Sequence, residues 1–352
     1  MSGRDEFAVD AEGGTVQPAR ADATQTGERQ MHAGEVVKLD RGFPLVRLDD
    51  GRTIRCQHAT ALVKSASVRA VVGDRVQVSL TEGADMAQIE AIGPRGHVLV
   101  RKDPAERTLP QTLAANFDAI IVAQPLAQLN LHRLERELVL AFETGAQVLV
   151  ILTKADLAES EGQVRYVRDA VDAIAGDRVQ VLVVSEDDAD SVEAVRRAIG
   201  TRTAVLMGRS GVGKSSLVNV LVGRQVQATN AVRSRDGKGR HTTVSREIVD
   251  LPGGGRVIDM PGVRGLALWD AGAGIAAAFA DIVALAEGCR FRDCRHGDEP
   301  GCAVRKAVEE GALSQARLDA YRDLAAENEK GREKREEAAR KRERRGHPRR
   351  RG

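Results

Sequence analysis

The octapeptide Gly208-Arg209-Ser210-Gly211-Val212-Gly213-Lys214-Ser215, followed by Ser216, matches the phosphate-cradling pattern G-x-x-x-x-G-K-[ST]. Glycines let successive backbone N–H groups turn inward onto phosphate oxygens, and a helix N-terminus adds partial positive charge. Lys214 supplies a cation for the β- and γ-phosphates, and Ser215 a hydroxyl suited to Mg²⁺. ATPases and small-molecule kinases share this loop, so it leaves the base open. Thr153-Lys154-Ala155-Asp156, at the end of the apolar run 148–152, addresses the base. A carboxylate there accepts hydrogen bonds from both N1–H and N2–H of guanine. Adenine offers neither, and a buried acceptor left unpaired costs roughly 1–3 kcal/mol. The stem of Lys154 can lie along the base, and Ser185, closing the next apolar run, can offer a backbone contact to guanine O6. Taken alone, the tetrapeptide also suits Asp156 as a helix cap; its position at a strand end favours base reading.

Two further segments follow the loop in order. Asp259-Met260-Pro261-Gly262 fits D-x-x-G, with Asp259 holding Mg²⁺ through water and the Gly262 N–H sensing the γ-phosphate. Gly239-Arg240-His241-Thr242-Thr243 offers the Thr242 and Thr243 hydroxyls as switch-loop Mg²⁺ ligands. Many Ras-like GTPases place a water-orienting glutamine after the glycine; here stands Val263, whose apolar side chain cannot orient water. His241 is the candidate catalytic group, and a solvent-exposed loop histidine the plain alternative. Cys289, Cys294, His296 and Cys302 supply three thiolates and an imidazole, a full tetrahedral set for one structural Zn²⁺ with no coordination position left open. The other reading of these cysteines is as small buried hydrophobes.

These residues need a parallel sheet to carry them. Apolar runs at 119–123, 148–153, 179–185 and 203–207 read as buried strands, separated by helical patterns near 131–143, 162–175 and 190–199. Segments 243–250 and 256–260 flank Pro252-Gly253-Gly254-Gly255 as a hairpin, and 275–288 and 303–326 read as helices around the cysteines. Upstream, period-two alternation (Val76, Val78, Leu80; Ala87, Ile89, Ala91) and turn signals such as Gly73-Asp74 predict a small barrel of OB type. Basic and acidic residues nearly balance there, so charge does not argue for nucleic acid in that segment.

The expected fold is therefore an α/β P-loop core, preceded by an all-β OB-like barrel and followed by a helical zinc-binding domain. The expected division is 1–30 disordered, 31–95 barrel, 96–274 nucleotide-binding core, 275–326 zinc domain and 327–352 basic tail. The net charge of +2 conceals that tail, which leaves the preceding body acidic and points to an anionic partner such as nucleic acid; a solvated helix is the alternative. No apolar run reaches the roughly 18 residues of a membrane span; the Ala-rich stretch 271–288 is interrupted by Asp281. The N-terminus lacks the order of a secretory signal, so a cytoplasmic monomer without membrane contact is expected.

The base-reading segment 153–156 precedes the phosphate loop 208–215, the reverse of the common GTPase arrangement, so the core is circularly permuted. With G-R-H-T-T at 239–243, the spacing C-x4-C-x-H-x5-C, and the segments 100–107, Gln111 and Ala115-Asn116-Phe117-Asp118, the chain resembles the ribosome small-subunit-dependent GTPase family known as RsgA or YjeQ over about residues 31–325. The resemblance implies a late maturation factor for the small ribosomal subunit, binding its rRNA. It implies hydrolysis of GTP to GDP with Mg²⁺, stimulated by that subunit and coupled to release, with His241 in the hydrolytic role. Apart from the resemblance, Arg290, Arg292, Arg295, Arg305 and Lys306 surround the cysteines and, with the basic tail, can contact RNA phosphates. Thr153 departs from the family's usual Asn, and the stretch beyond about 327 lies outside the shared region. A P-loop kinase or ATPase is the competing enzyme reading, opposed by Asp156. A zinc-containing RNA-binding protein with a degenerate nucleotide site is the non-enzymatic one, opposed by Lys214, Ser215 and Asp259.

Overall fold

The structure, a computed structural model, describes residues 30–40, 42–66, 69–81, 86–102, 110–226, 246–260 and 267–346. In chain order these form β1 (Gln30–Asp40), β2 (Phe43–Leu48), β3 (Thr53–His58), α1 (Thr60–Ala66), β4 (Arg75–Leu80) and β5 (Ala87–Ile92). β6 (Val98–Lys102) and β7 (Pro110–Ala115) pair as a small separate sheet. Then come β8 (Ala119–Pro125), α2 (Leu131–Glu143), β9 (Gln147–Thr153), α3 (Glu161–Ala175), β10 (Gln180–Val183), α4 (Ala189–Ile199), β11 (Thr203–Met207) and α5 (Lys214–Val222). The chain continues through β12 (Arg246–Asp250), β13 (Arg256–Asp259), α6 (Gly272–Ala278), α7 (Ala280–Ala286), α8 (Ala303–Glu309) and α9 (Gln315–Gly346).

The chain folds as two compact units, one of Met1–Val98, Thr112–Ala119 and Val192–Gly262, the other of Leu99–Gln111, Ile120–Ser191 and Val263–Gly352. In the first unit β1 pairs antiparallel with both β2 and β4, and β3 runs parallel to β5, which closes the five strands into an OB-like barrel. Alternation sets its interior: Val76 and Val78 are buried with Val36, Val46 and Ile89, while Arg75 and Gln77 face outward. Cys56 lies in this core, and burial pushes its thiol up to about 12, an inert state. At the predicted turn, Gly73 adopts φ +90°, and a Cβ there would stand 2.0 Å from the Ala115 carbonyl oxygen. Only glycine fits. The adjacent Asp74 is fully buried and gripped by Arg95 at 2.8 and 2.7 Å.

The same unit holds the phosphate-loop strand. β11 runs parallel to β13, and β12 returns antiparallel to β13 through the Gly-rich turn. β12 also pairs with β1 of the barrel, with Lys38 opposite Glu247 and ion-paired to it. Asp118 pins the start of β11: its backbone N–H donates to the Thr203 carbonyl at 2.8 Å, and its carboxylate accepts the Thr203 N–H at 2.8 Å.

In the second unit β8, β9 and β10 are neighbours in that order, with β9 parallel to β10. The apolar runs of β8 and β9 are buried on both faces, as strands covered by helices require, while β10 at the end of the order is only partly buried. Asn130 caps α2 by accepting the Arg133 N–H, and Ser160 caps α3 by accepting the Gln163 N–H. Two expectations are corrected here. The helix expected over 275–288 breaks at Phe279 (φ −119°, ψ 41°), whose ring is fully buried against Tyr321 and under Arg317. The helix expected over 303–326 divides at Gly311, which takes φ +78°. Its second part, α9, then runs unbroken past the boundary set at 326/327, supported by i,i+4 pairs such as Arg332–Glu336 and Lys341–Glu337. Arg317 ties this unit together, bonding Glu135 on α2 at 2.9 Å and Asp281 on α7 at 2.9 Å. Among the described residues no helix is long and apolar enough to cross a membrane.

Candidate functional site

In the first unit the loop leaves the buried end of β11 and winds through three glycines with positive φ: Gly208 (148°), Gly211 (87°) and Gly213 (98°). Gly213 is the left-handed N-cap of α5, so the helix begins at Lys214. That side chain is buried, and its Nζ donates to the carbonyl oxygens of Gly208 (2.8 Å) and Arg209 (3.0 Å). The ammonium is thereby folded back over its own loop. Val212 anchors the loop by burial, Arg209, Ser210 and Gly211 are exposed, and Ser215 and Ser216 are half-buried in the first turn of the helix.

Asp259 ends β13, beside Leu206 of β11 in the parallel register. It is 3% exposed, and its Oδ1 has no hydrogen-bond partner among the described residues. Burial raises its carboxyl above the ordinary range; Lys214 pulls it down, and Glu247, its partner across the β12–β13 ladder, pushes it up. A buried carboxylate with an idle oxygen next to a P-loop strand has the chemistry of a cation site.

The base-side residues belong to the second unit. Thr153 is buried, and its hydroxyl donates to the Gln124 carbonyl at 3.1 Å, which holds the end of β9 to β8. Lys154 takes φ +58°, a left-handed turn rare for a lysine, and the Ala155 N–H donates to the Val184 carbonyl at 3.2 Å. This corner presents Asp156 to solvent, with the Ser185 hydroxyl 3.5 Å from its Oδ1. The backbone N–H of Ser185, expected to face guanine O6, instead donates to the Ser191 hydroxyl at 3.3 Å. Sequence reasoning missed the support beneath: Gln124 is buried and donates to Glu137, which also accepts from Arg133. A polar residue closing the apolar run of β8 was the available signal.

The cysteine cluster lies around α8. The ligand atoms of Cys289, Cys294, His296 and Cys302 all lie within 4.8 Å of one another and can hold one metal ion. His296 turns at φ +57°, placing Nδ1 3.4 Å from the Cys302 sulfur and 3.6 Å from that of Cys289. Burial lowers the His296 pKa, which favours the neutral ring a metal requires. The Cys302 sulfur also accepts the Arg305 N–H as the cap of α8. Of the cations flanking the cluster, Arg295, Arg305 and Lys306 are paired with carboxylates, whereas Arg290 is exposed and lies over the exposed ring of Phe291. His241, Thr242, Thr243, Gly262 and Val263 lie outside the described residues, as do 1–29 and 103–107.

Comparison with known proteins agrees with this architecture. Residues 92–269 match the family model described as RsgA GTPase. The chain is 44% identical over 299 residues to the small ribosomal subunit biogenesis GTPase RsgA of Streptomyces coelicolor, covering 84% of this chain and 80% of that protein. It is 42% identical to the protein of the same name from Xanthomonas euvesicatoria, covering 74% and 69%. Among solved structures, YjeQ from Thermotoga maritima superposes with a TM-score of 0.61 at 24% identity, over 84% of this chain and 97% of that one. YloQ, described as a circularly permuted GTPase, superposes at 0.59 with 24% identity, over 88% and 98%. The fold is thus the permuted P-loop core with its preceding barrel and following helical segment.

Proposed function

The chain belongs to the RsgA GTPase family, and from that premise we propose that it hydrolyses GTP to GDP on the small ribosomal subunit, assisting late maturation and departing after turnover. One observation carries the nucleotide chemistry: the cradle with its buried Lys214 sits beside a buried Asp259 whose Oδ1 is idle. That oxygen is suited to water-mediated Mg²⁺, with the Ser215 hydroxyl at the first turn of α5 as the inner ligand. Mg²⁺, when bound, neutralises charge on the β- and γ-phosphates. On nucleotide binding Lys214 exchanges two carbonyl oxygens for phosphate oxygens. Arg209 to Gly213 offer backbone N–H groups, and Ser216 extends the first helical turn.

Asp156 reads guanine, Lys154 lines the base, and Ser185 steadies the Asp156 carboxylate through its hydroxyl. Thr153 builds the corner rather than touching the base, which accounts for a threonine being accepted there. His241 activates water, Thr242 or Thr243 completes the Mg²⁺ shell, and Gly262 senses the γ-phosphate; these roles rest on sequence pattern and family. Zinc is the metal of the cysteine cluster. Tetrahedral Zn–S and Zn–N bonds put sulfurs about 3.8 Å apart and sulfur about 3.6 Å from nitrogen. The separations of 3.9 Å for Cys289–Cys302 and 3.6 and 3.4 Å to His296 support it. Arg290 and Arg292, with exposed Phe291, are suited to rRNA phosphates and bases. Such work is cytoplasmic.

The test is GTP turnover with and without purified small subunits. Strong stimulation is expected; intact GTP binding with no stimulation would favour a non-enzymatic RNA-binding role.

A further inference from the structure

Within the second unit, α2, α9, Lys102 of β6 and residues 267–268 line an open groove with a volume of about 420 Å³, within the size range of small-ligand sites. Lys102, Arg136, Lys330 and Lys334 line it against Asp323 and Glu327, four permanent cations to two carboxylates. Arg136 is already committed, forked onto Glu327 at 3.0 and 2.5 Å, and Glu327 also accepts the Leu268 N–H at 3.2 Å. Lys102 attracts Glu327 from beyond ion-pair distance, and the ammonium groups of Lys330 and Lys334 have no hydrogen-bonded or ion-paired carboxylate among the described residues.

Four other cations of α9 are paired. Arg332 and Arg340 pair with Glu336, Arg335 with Asp270, and Lys341 with Glu337. The unpaired lysines are those on the face turned to the groove, where residues 323, 327, 330, 331 and 334 recur at helical spacing. Gly331 occupies that face inside a continuous helix, where glycine is disfavoured by about 1 kcal/mol against alanine. A Cβ at 331 would meet only the flexible end of Arg335, at 3.3 Å, so packing within the fold does not demand a glycine there. The space it leaves belongs to the groove. A concave wall with an excess of one sign of charge focuses its field on an oppositely charged occupant.

We propose that this groove binds a small phosphate-bearing ligand, a di- or triphosphate group held by Lys102, Lys330 and Lys334. Three cations lining one groove suit a compact polyanion; a nucleic-acid backbone calls for a row of free cations along an exposed ridge, whereas Arg332, Arg335, Arg340 and Lys341 of α9 are paired. The site shares no residue with the phosphate loop.

The test is calorimetric titration of the full chain with inorganic tripolyphosphate, in a Lys214→Ala background or with saturating Mg²⁺–GDP so that the P-loop does not contribute. One equivalent should bind. The Lys330→Gln/Lys334→Gln pair should weaken it at least tenfold, and Gly331→Leu, which puts a side chain at the groove wall, should do the same. An Arg332→Gln/Arg340→Gln pair, with the same change in net charge, should leave binding unaltered. All these positions except half-buried Gly331 are exposed, so folding is preserved. Unchanged binding in the lysine pair, or equal loss in the arginine pair, overturns the proposal. So does an RNA oligonucleotide that binds through Lys330 and Lys334 where tripolyphosphate does not.

Discussion

Replacing Asp259 with asparagine removes a charge from a place where the folded protein supports it poorly. The residue is 3% exposed, its Oδ1 is unpartnered among the described residues, and Glu247 stands across the ladder. Burial raises its carboxyl above the ordinary 3.8, and attraction to Lys214 offsets this only in part. A carboxyl whose pKa is higher folded than unfolded is ionised more readily in the unfolded chain. Asp259 therefore subtracts from stability at neutral pH, and the penalty fades as pH falls toward 3.8, where both states become protonated. A buried acceptor without a partner costs about 1–3 kcal/mol. Asparagine retains part of that, so a gain of about 1 kcal/mol is expected, or about 2–4 °C in melting temperature.

Thermal melts of nucleotide-free wild-type and Asp259→Asn protein give the first comparison, and melts with Mg²⁺ and GDP the second. The variant should melt higher without nucleotide, with an advantage that shrinks on acidification. The order should reverse with saturating Mg²⁺–nucleotide, because a ligand stabilises only the form that binds it. A nucleotide-free variant melting at or below the wild type at neutral pH would refute the idea that this carboxylate is kept for a cation at the expense of stability.

Asp156→Asn should narrow the GTP-over-ATP preference by roughly tenfold or more, since the amide cannot accept from both guanine N–H groups; competition binding reads the ratio, and an unchanged ratio would remove Asp156 from base reading. Arg317→Met should destabilise the second unit by about 3–5 kcal/mol in denaturant unfolding, because it strands the buried Glu135 and leaves Asp281 facing it. Metal analysis should find one zinc per chain. His296→Ala should lower that content, and chelation should lower the melting temperature of the wild type but not of the variant.

Much of the site was legible along the chain. The phosphate loop depends on glycines at fixed spacing, and backbone freedom is a property of single residues. The helix expected over 131–143 is α2, Leu131–Glu143, and the strand expected over 203–207 is β11, because period and capping are set by near neighbours. The cysteine spacing likewise picked out the four residues that the fold gathers into a cluster able to hold a metal ion, since four donors within fourteen residues need little from the rest of the fold. Other features depended on which distant surfaces meet. The bend at Phe279 exists because Tyr321 and Arg317 receive its ring, and the Gln124–Glu137–Arg133 support under Thr153 spans two elements. The pairing of β1 with β12 joins strands some two hundred residues apart, and Lys102 and Lys330 line one groove only once α9 is laid beside α2. Local backbone preference and side-chain chemistry are written in consecutive residues; burial, the idle oxygen of Asp259 and the unpaired lysines arise only when remote segments share one space.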